Sequence, residues 1–497
     1  MSAPGGHPLS ILDLPGIVTL LFARAHRPLL PGAQKPLGLF VRYLRRKPAR
    51  GLAVIYSVDE LGHSGKARVS DPNRSVSLTL DEEALDGAHI NFTEAQAREA
   101  QLEVQATGVL RAHSIGLSVQ AFPADGGLPA LAASCDAASH GRVFEALQVA
   151  ARTQLDDGGW RLISASAIPV RYKPANRCVI RYSLTMGHDA GEASIHKNVT
   201  LFGKVYADPE QARSVQALQQ RLYDEQAGKT EGVPFLPRPL GMIDALGLTF
   251  NEAVQPAHAE ERLVTGTRAL RPRMERGRGG EITELIVPVE ELQLTAAVLA
   301  RLHTSAVRPD AGAPRTGAKE AKRARERAAL IAGRNRGQAE EVQRLAGELA
   351  TRLETLQPDA YRPAHGGFKA SQLLFHSHRV FVVDFDGFCL ADPALDAGYF
   401  LAYLRPSGLW YHHPGMVPWF QAAAEVFTTA YRQAMLGLGI PQDAVDGILQ
   451  RSRLYEAALL FKIATRRVNR LNSPRPKELA AMLSEIAACL SYEVRRE

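Results

Sequence analysis

One stretch, "HGGFKASQLLFHSHRVFVVDFDGF" from His365 to Phe388, constrains this 497-residue chain more than any other. Two short apolar runs, Gln372–Phe375 and Val380–Val383, flank a polar turn. That pattern predicts a small β-hairpin. Its second strand is of the buried type and ends on Asp384 and Asp386; Gln372 lies at the other end. Carboxylates at a strand end suit Mg²⁺, which takes oxygen ligands and binds through one or two carboxylates plus substrate phosphates.

The rest of the composition narrows the class. Hydrophobic residues make up 45% and charged residues 22%, the balance of an ordinary globular protein. The formal charge of +7 favours anionic ligands such as nucleotides and does not by itself indicate nucleic acid. Cys135, Cys178, Cys389 and Cys489 are far apart, so neither a disulfide framework nor a zinc site is expected. No stretch approaches the roughly 20 apolar residues that span a membrane. The first apolar run is interrupted by Asp13 and Pro15 and lacks a basic lead, unlike a signal peptide. The expectation is a reduced, cytoplasmic protein with no membrane partner.

Along the chain, "LFVRYLRRKPARGLAVIYS" (39–57) predicts two strands around a basic turn, and "RSVSLTL" (74–80) a third. "TEAQAREAQLEVQATG" (93–108) is helical in composition, and "IGLSVQAF" starts a new strand. A second β-rich block, "AIPVRYKPANRCVIRYSL" (167–184), repeats the VRY of the first. "GKARVSDPNRSV" (65–76) and "GKVYADPEQARSV" (203–215) share GK, Asp-Pro and RSV, so the two blocks read either as a degenerate duplication or as two hairpins of similar composition. A helix is expected over 208–226, with Asp208 able to cap it and Pro209 in its first turn. Residues 238–255 read as two strands and 268–282 as an Arg/Gly-rich loop. Beyond 288 the chain is mostly helical, with a break near Gly333–Gly337. Three domains follow: 1–112, an α+β domain that reads as a degenerate copy of the next; 113–256, β-rich with one helix; and 257–497, helical.

The stretch at 365–388 resembles the catalytic and metal loops of kinases, for which the general patterns are H-R-D-L-x-x-x-N and D-F-G. The glycine after His365 and the following "ADPALDAGYF" resemble more closely the aminoglycoside phosphotransferase family of small-molecule kinases. The resemblance implies an α+β, bilobal protein kinase-like fold, with a β-rich N-lobe and a helical C-lobe, preceded here by an extra β-rich domain. It also implies ATP or GTP with Mg²⁺, and a small hydroxyl-bearing acceptor. In register, His365 is structural, Lys369 is the loop lysine, Gln372 and Asp384 are metal ligands with Asp386 beside them, and Asp392 and Asp396 are structural acids. "LFGKVYAD" resembles the strand carrying the ATP-phosphate lysine, here Lys204. "LTFNEAVQ" resembles the strand into the interlobe hinge, where backbone groups from Glu252 to Val254 would meet an adenine edge.

The departures are as informative. Gly367 stands where the family carries its catalytic aspartate, and Gln372 where it carries asparagine. No Gly-rich loop joins the first strands of the second block. "YKPANRC" takes its place, with Lys173 and Arg177 as candidate phosphate contacts. No glutamate is placed to partner Lys204: Glu210 and Glu225 lie at the two ends of the helix, with Gln216 and Gln220 between. Three readings of Gly367 compete: a phosphotransferase relying on positioning and charge with Lys369 the remaining cation, a pseudokinase, and a kinase-fold adenylyl transferase. The retained Lys204, Lys369 and Asp384 imply that nucleotide binding survives under all three, and the retained Lys369 favours catalysis over decay. His376 and His378 read as turn residues. Arg466, Arg467 and Arg470 read as an exposed basic helix face, with an acceptor-site lining as the alternative.

Overall fold

The computed structural model describes residues 9–30, 37–47, 51–60, 71–86, 89–190, 193–228, 233–254, 262–276, 282–310, 312–376, 378–405, 415–468 and 475–491. The chain forms two compact units, Met1–Arg213 with Leu240–Glu252, and Ser214–Pro239 with Ala253–Glu497.

The first unit holds two antiparallel sheets over separate cores. The N-terminal sheet comprises β1 (Leu37–Lys47), β2 (Gly51–Glu60), β3 (Ser75–Leu80), β4 (Glu103–Val104), β5 (Leu110–Ala112) and β6 (Leu117–Ala121), in the order β1-β2-β3-β6-β5-β4. Helix α1 (Leu14–Arg24) lays Leu14, Ile17, Val18, Leu21 and Phe22 into the core that Val54, Tyr56, Val76 and Leu78 build. Helix α2 (Glu94–Glu99) is a single capped turn: Thr93 and Gln96 form a capping box and the helix stops at Ala100. The helix expected over 93–108 is therefore short, and its second half turns into β4.

After helix α3 (Phe144–Leu155) comes the second sheet: β7 (Arg161–Lys173), β8 (Arg177–Ala190), β9 (Ala193–Tyr206), β10 (Pro239–Ile243) and β11 (Leu248–Glu252), ordered β10-β11-β9-β8-β7. Helix α4 (Pro209–Ala227) lies between β9 and β10 in sequence, as α2 lies between β3 and β5. Five strands thus recur in one order. The closing hairpins also match: each turns through a short 3₁₀ segment, His113–Ile115 or Asp244–Leu246, into a left-handed glycine, Gly116 or Gly247. Both VRY triplets carry a register shift, between Val41 and Tyr43 in β1 and opposite Val179/Ile180 in β7. The RSV match does not correspond: Arg74–Val76 enter β3, whereas Arg213–Val215 lie inside α4. Gly65 and Lys66 lie outside the described residues.

Two expected boundaries move. β6 pairs with β3 and β5, so the first sheet runs past residue 112. Most of α4 belongs to the second unit, because Leu218 and Leu222 join Phe235 and Leu236 in the helical core. The chain passes from the first unit into the second at Glu252–Ala253.

The second unit contains α5 (Val289–His303), α6 (Gly317–Ala332), α7 (Ala339–Glu354), strands β12 (Arg362–Ala364), β13 (Leu373–His376), β14 (Arg379–Val382) and β15 (Cys389–Ala391), then α8 (Ala394–Leu404), α9 (Met416–Gly437), α10 (Gln442–Val468) and α11 (Leu479–Leu490). The break between α6 and α7 falls at Gly333–Gln338, as expected. The expected loop at 268–282 is instead part of a hairpin, Arg273–Arg276 against Ile282–Ile286, with Gly277–Glu281 outside the described residues. Helix α8 is almost wholly buried and packs on α10, which fixes the loops on either side of it. A five-stranded antiparallel sheet interrupted by one helix, then a helical unit carrying a β-hairpin, is the protein kinase-like α+β arrangement.

Candidate active site

In the second unit, the predicted hairpin forms: β13 pairs with β14, Leu373 opposite Val382. The loop before it is anchored from below. Asp396, fully buried on the first turn of α8, accepts from His365 N at 2.5 Å and from Phe368 N at 3.5 Å. His303 of α5 lies behind it, its Nε2 3.6 Å from the carboxylate and its Nδ1 bonded to the Tyr431 hydroxyl at 2.7 Å. Burial works against this carboxylate, but the His303 contact and the His365 amide outweigh it and hold the group below the usual carboxylate range. Asp392 is also fully buried. It accepts from Arg451 Nε at 2.8 Å and caps α8 through Ala394 N at 3.1 Å. Burial pushes its pKa up, against the pull of Arg451.

His365 is buried, between the rings of Phe368 and Phe385. Its Nε2 donates to the Val383 carbonyl at 3.2 Å, and burial lowers its pKa, so it stands as a neutral prop. The Val383 amide donates to the Gln372 carbonyl at 2.9 Å. Through these two bonds the His365 loop and the Asp384 loop form one piece.

At that junction Gln372 and Asp384 meet. Gln372 Nε2 lies 3.4 Å from Asp384 Oδ2, while Gln372 Oε1 is buried and has no hydrogen-bond partner among the described residues. Asp384 sits in the left-handed region at φ 74, a strained conformation for a side-chain-bearing residue and one that Asp tolerates better than most. Asp386 follows in a 3₁₀ turn, partly exposed. No group of three His, Cys, Asp or Glu side chains among the described residues could hold a metal by itself. An orphaned amide oxygen beside a carboxylate is nonetheless the donor set expected for Mg²⁺ that completes its shell with phosphate and water. Amide orientation follows from the surrounding bonds, so an ion would reorient this one.

Two adjacent glycines differ sharply. Gly366 has φ +72, and a Cβ there would lie 2.0 Å from the Gly387 carbonyl oxygen. Gly367 has no left-handed φ, and a Cβ would meet nothing within 4 Å. The position of the missing aspartate can therefore take a side chain. Neither a positive φ nor crowding calls for a glycine at 367. Lys369 points its Nζ over the Tyr403 ring, 5.6 Å from the centroid.

In the first unit, Lys204 on β9 pairs across to Thr249 and lies over the Tyr206 ring at 4.9 Å. Lys173 and Arg177 face each other across the β7–β8 turn, exposed and half-buried respectively. That turn is held by a residue with no signal in the sequence pattern. Asp125, 1% exposed, accepts from Tyr172 Oη (2.7 Å), Ala175 N (2.8 Å) and Gly127 N (2.8 Å). Glu252 and Val254 flank the chain crossing and are half-buried. Glu225 is bonded to Ser305 Oγ and Ala306 N, and Glu210 to Arg213. His376 and His378 are at the hairpin turn, with His378 paired to Glu290. Of the three arginines on α10, Arg467 pairs with Glu478, Arg466 donates to the Tyr403 hydroxyl, and Arg470 lies outside the described residues.

Residues 207–433 match the model of the phosphotransferase enzyme family. This segment is of that family. Ahead of it lie the N-terminal sheet and most of the second sheet, Lys204 included. Among curated proteins none matches the sequence. Solved structures it is similar to include a glucosamine kinase in complex with glucosamine, ADP and inorganic phosphate (16% identity, 79% of this chain and 90% of that chain, TM-score 0.43). Others are a choline/ethanolamine kinase family protein from Mesorhizobium loti (14%, 62% and 85%, TM-score 0.38) and a spectinomycin phosphotransferase bound to ADP and spectinomycin (13%, 66% and 93%, TM-score 0.34). No helix of the described residues is long and apolar enough to cross a membrane.

Proposed function

We propose that the protein transfers a phosphoryl group from ATP or GTP to a hydroxyl of a small molecule. The observation that carries this reading is the unpartnered, buried Gln372 Oε1 beside Asp384. A buried acceptor without a donor costs about 1–3 kcal/mol, and a ligand cation removes that cost. Bound Mg²⁺ would neutralise charge on the transferring phosphoryl group. Gln372 and Asp384 would hold it, with Asp386, two residues on, as a further candidate. Lys204 supplies the cation on the nucleotide phosphates, Lys173 and Arg177 add contacts where other kinases use a Gly-rich loop, and the backbone from Glu252 to Val254 receives the base. Lys369 stabilises developing charge. Phosphoryl transfer gains mostly from positioning and charge, whereas a general base contributes about 10²–10⁴-fold. Loss of the aspartate at Gly367 therefore slows such an enzyme without abolishing it. The matching strand orders support reading the N-terminal sheet as a degenerate copy of the second.

The test is a thermal-shift titration with nucleotide, with and without Mg²⁺, then a screen of hydroxyl acceptors for transfer. A Mg²⁺-dependent shift followed by phosphorylated product is expected. Nucleotide binding without any transfer would assign a pseudokinase. Nucleotidylated product would assign an adenylyl transferase, and no shift at millimolar Mg-nucleotide would exclude both transferases and leave a partner-binding pseudokinase.

A further inference from the structure

The face of α8 and α10 that borders the His365 loop carries a charge imbalance. Tyr399 and Tyr403 are four residues apart on α8, and Lys462 and Arg466 four apart on α10, so each pair lies on one helix face. The pairs meet in two rungs. Lys462 Nζ lies 5.5 Å from the Tyr399 ring centroid, and Arg466 donates to the Tyr403 hydroxyl at 3.2 Å. Arg327 of α6 reaches the same place and donates to the Ala458 carbonyl, one turn before Lys462. Arg315 ties the cluster to the loop, donating to the Gly366 carbonyl and the Tyr399 hydroxyl, each at 2.6 Å. Lys369 closes it over Tyr403.

The one carboxylate in the cluster is already committed. Glu320, fully buried, pairs with Arg315 and Arg323 and accepts from the Tyr399 hydroxyl. Among the described residues no carboxylate lies within ion-pair distance of Lys462, Arg466 or Arg327. Lys462 and Arg327 are half-buried and Arg466 is exposed at the edge; the three repel one another, and the nearest carboxylate, Glu320, is already shared between Arg315 and Arg323. Such an arrangement is unfavourable until an anion enters.

We propose that Lys462, Arg466 and Arg327 form the acceptor subsite, and that the acceptor is itself anionic: a hydroxyl compound bearing a phosphate or carboxylate. This rests on the phosphotransferase reading for the word acceptor, but not for the anion site. Burial and the charges of Arg466, Arg327, Arg315 and Lys369 lower the Lys462 pKa to about 7, consistent with a cation lacking its partner.

The test uses the full chain and inorganic phosphate as probe, titrated calorimetrically at pH 6.5 with and without saturating Mg-ADP. Phosphate should bind in both conditions. Lys462→Met and Arg466→Gln should each weaken it by about tenfold or more, the scale of a lost charged hydrogen bond. Lys462→Arg should restore it, and the Mg-ADP affinity should stay within about twofold in all variants. Removing a repulsive charge should leave the melting temperature equal or higher, which separates a lost site from a lost fold. Phosphate binding that Mg-ADP displaces, or that Lys462→Met leaves unchanged, would overturn the proposal. Phosphate binding intact in a protein that does not bind Mg-ADP would support the anion site while sinking the phosphotransferase reading.

Discussion

Two pairs of side chains between Gln372 and Asp396 serve opposite ends. Asp392 and Asp396 are fully buried, and the backbone amides and side chains around them satisfy their oxygens: Arg451 and Ala394 N for the first, His365 N and Phe368 N for the second. Asp384 and Gln372 lie a few residues upstream with the reverse character. One is strained into a left-handed backbone and partly exposed, and the other buries an amide oxygen with no donor. The first pair spends its hydrogen bonds on holding the loops, and the second keeps an acceptor unspent. On the proposed reading, the structural acids are satisfied by their neighbours, whereas the Gln372 amide oxygen is left for a ligand.

That contrast breaks first under truncation of the structural pair. Asp392→Ala strands Arg451, half-buried, against an emptied site. Removing one member of a buried ion pair costs about 3–5 kcal/mol, so the denaturant midpoint should fall sharply, while any protein still folded should keep its Mg²⁺ dependence. Asp396 adds a pH signature. Its folded pKa lies below the unfolded value, so its contribution is present above the unfolded carboxylate pKa and disappears as pH falls through the lower folded value. Stability measured between pH 6 and pH 3 should drop more steeply for the wild type than for Asp396→Asn. Parallel curves would show that Asp396 does not carry the acid sensitivity.

The ligand pair should behave in the reverse way. Asp384→Asn keeps a residue that accepts the left-handed backbone and removes the charge. The nucleotide-free protein should change by roughly 1 kcal/mol or less. The Mg²⁺-dependent part of the thermal shift, about 2.7 kcal/mol for ligand at a hundredfold over its Kd, should vanish. Equal loss of Mg²⁺ dependence in Asp392→Ala and Asp384→Asn would show that the two pairs have been assigned the wrong way round.

Much of this was legible beforehand, for local reasons. The hairpin at 373–382, the strands within 39–57 and 167–184 and the helix from Pro209 follow from apolar periodicity and turn residues, which act within a few positions. The motif order from His365 to Asp396 carried the loops. What escaped depends on chain segments that meet only in the fold. Asp125 holds the turn at Ala175 from 50 positions away. Arg315 holds Gly366 from 51. The Tyr399–Tyr403 and Lys462–Arg466 spacings were visible, but four-residue spacing alone marks a helix face and says nothing of which face it meets. The placing of β6 in the first sheet escaped for the same reason, since its pairing partners decide it and not its own residues.

Gly366 sharpens the comparison at a smaller scale. Gly366→Ala forces a side chain into the left-handed region and onto the Gly387 carbonyl. The backbone term alone is about 1–2 kcal/mol, and the clash adds to it. Thermal denaturation of Gly366→Ala and Gly367→Ala should therefore differ, with only the first losing stability. Equal melting temperatures would contradict the assigned backbone conformation.

The smallest effect on stability, and the most telling on function, belongs to Gly367→Asp. Its Cβ would meet nothing within 4 Å and its backbone requires no glycine, so the substitution should stay within about 0.5 kcal/mol of the wild type. A change in transfer rate then reports on chemistry and not on folding. Were the glycine merely a lost base, the new carboxylate would accept the proton of the incoming hydroxyl and raise the rate within the roughly 10²–10⁴-fold that a general base supplies. The cation cluster on α6 and α10 argues for the opposite sign. If the acceptor brings its own negative charge to Lys462 and Arg466, a carboxylate at 367 repels it, and KM for an anionic acceptor should rise. A neutral hydroxyl compound feels no such penalty. Rates measured for both variants on one anionic and one neutral acceptor separate the two accounts: a tenfold gain on the anionic acceptor would mean that Gly367 is a simple loss and that the cluster does not hold the acceptor.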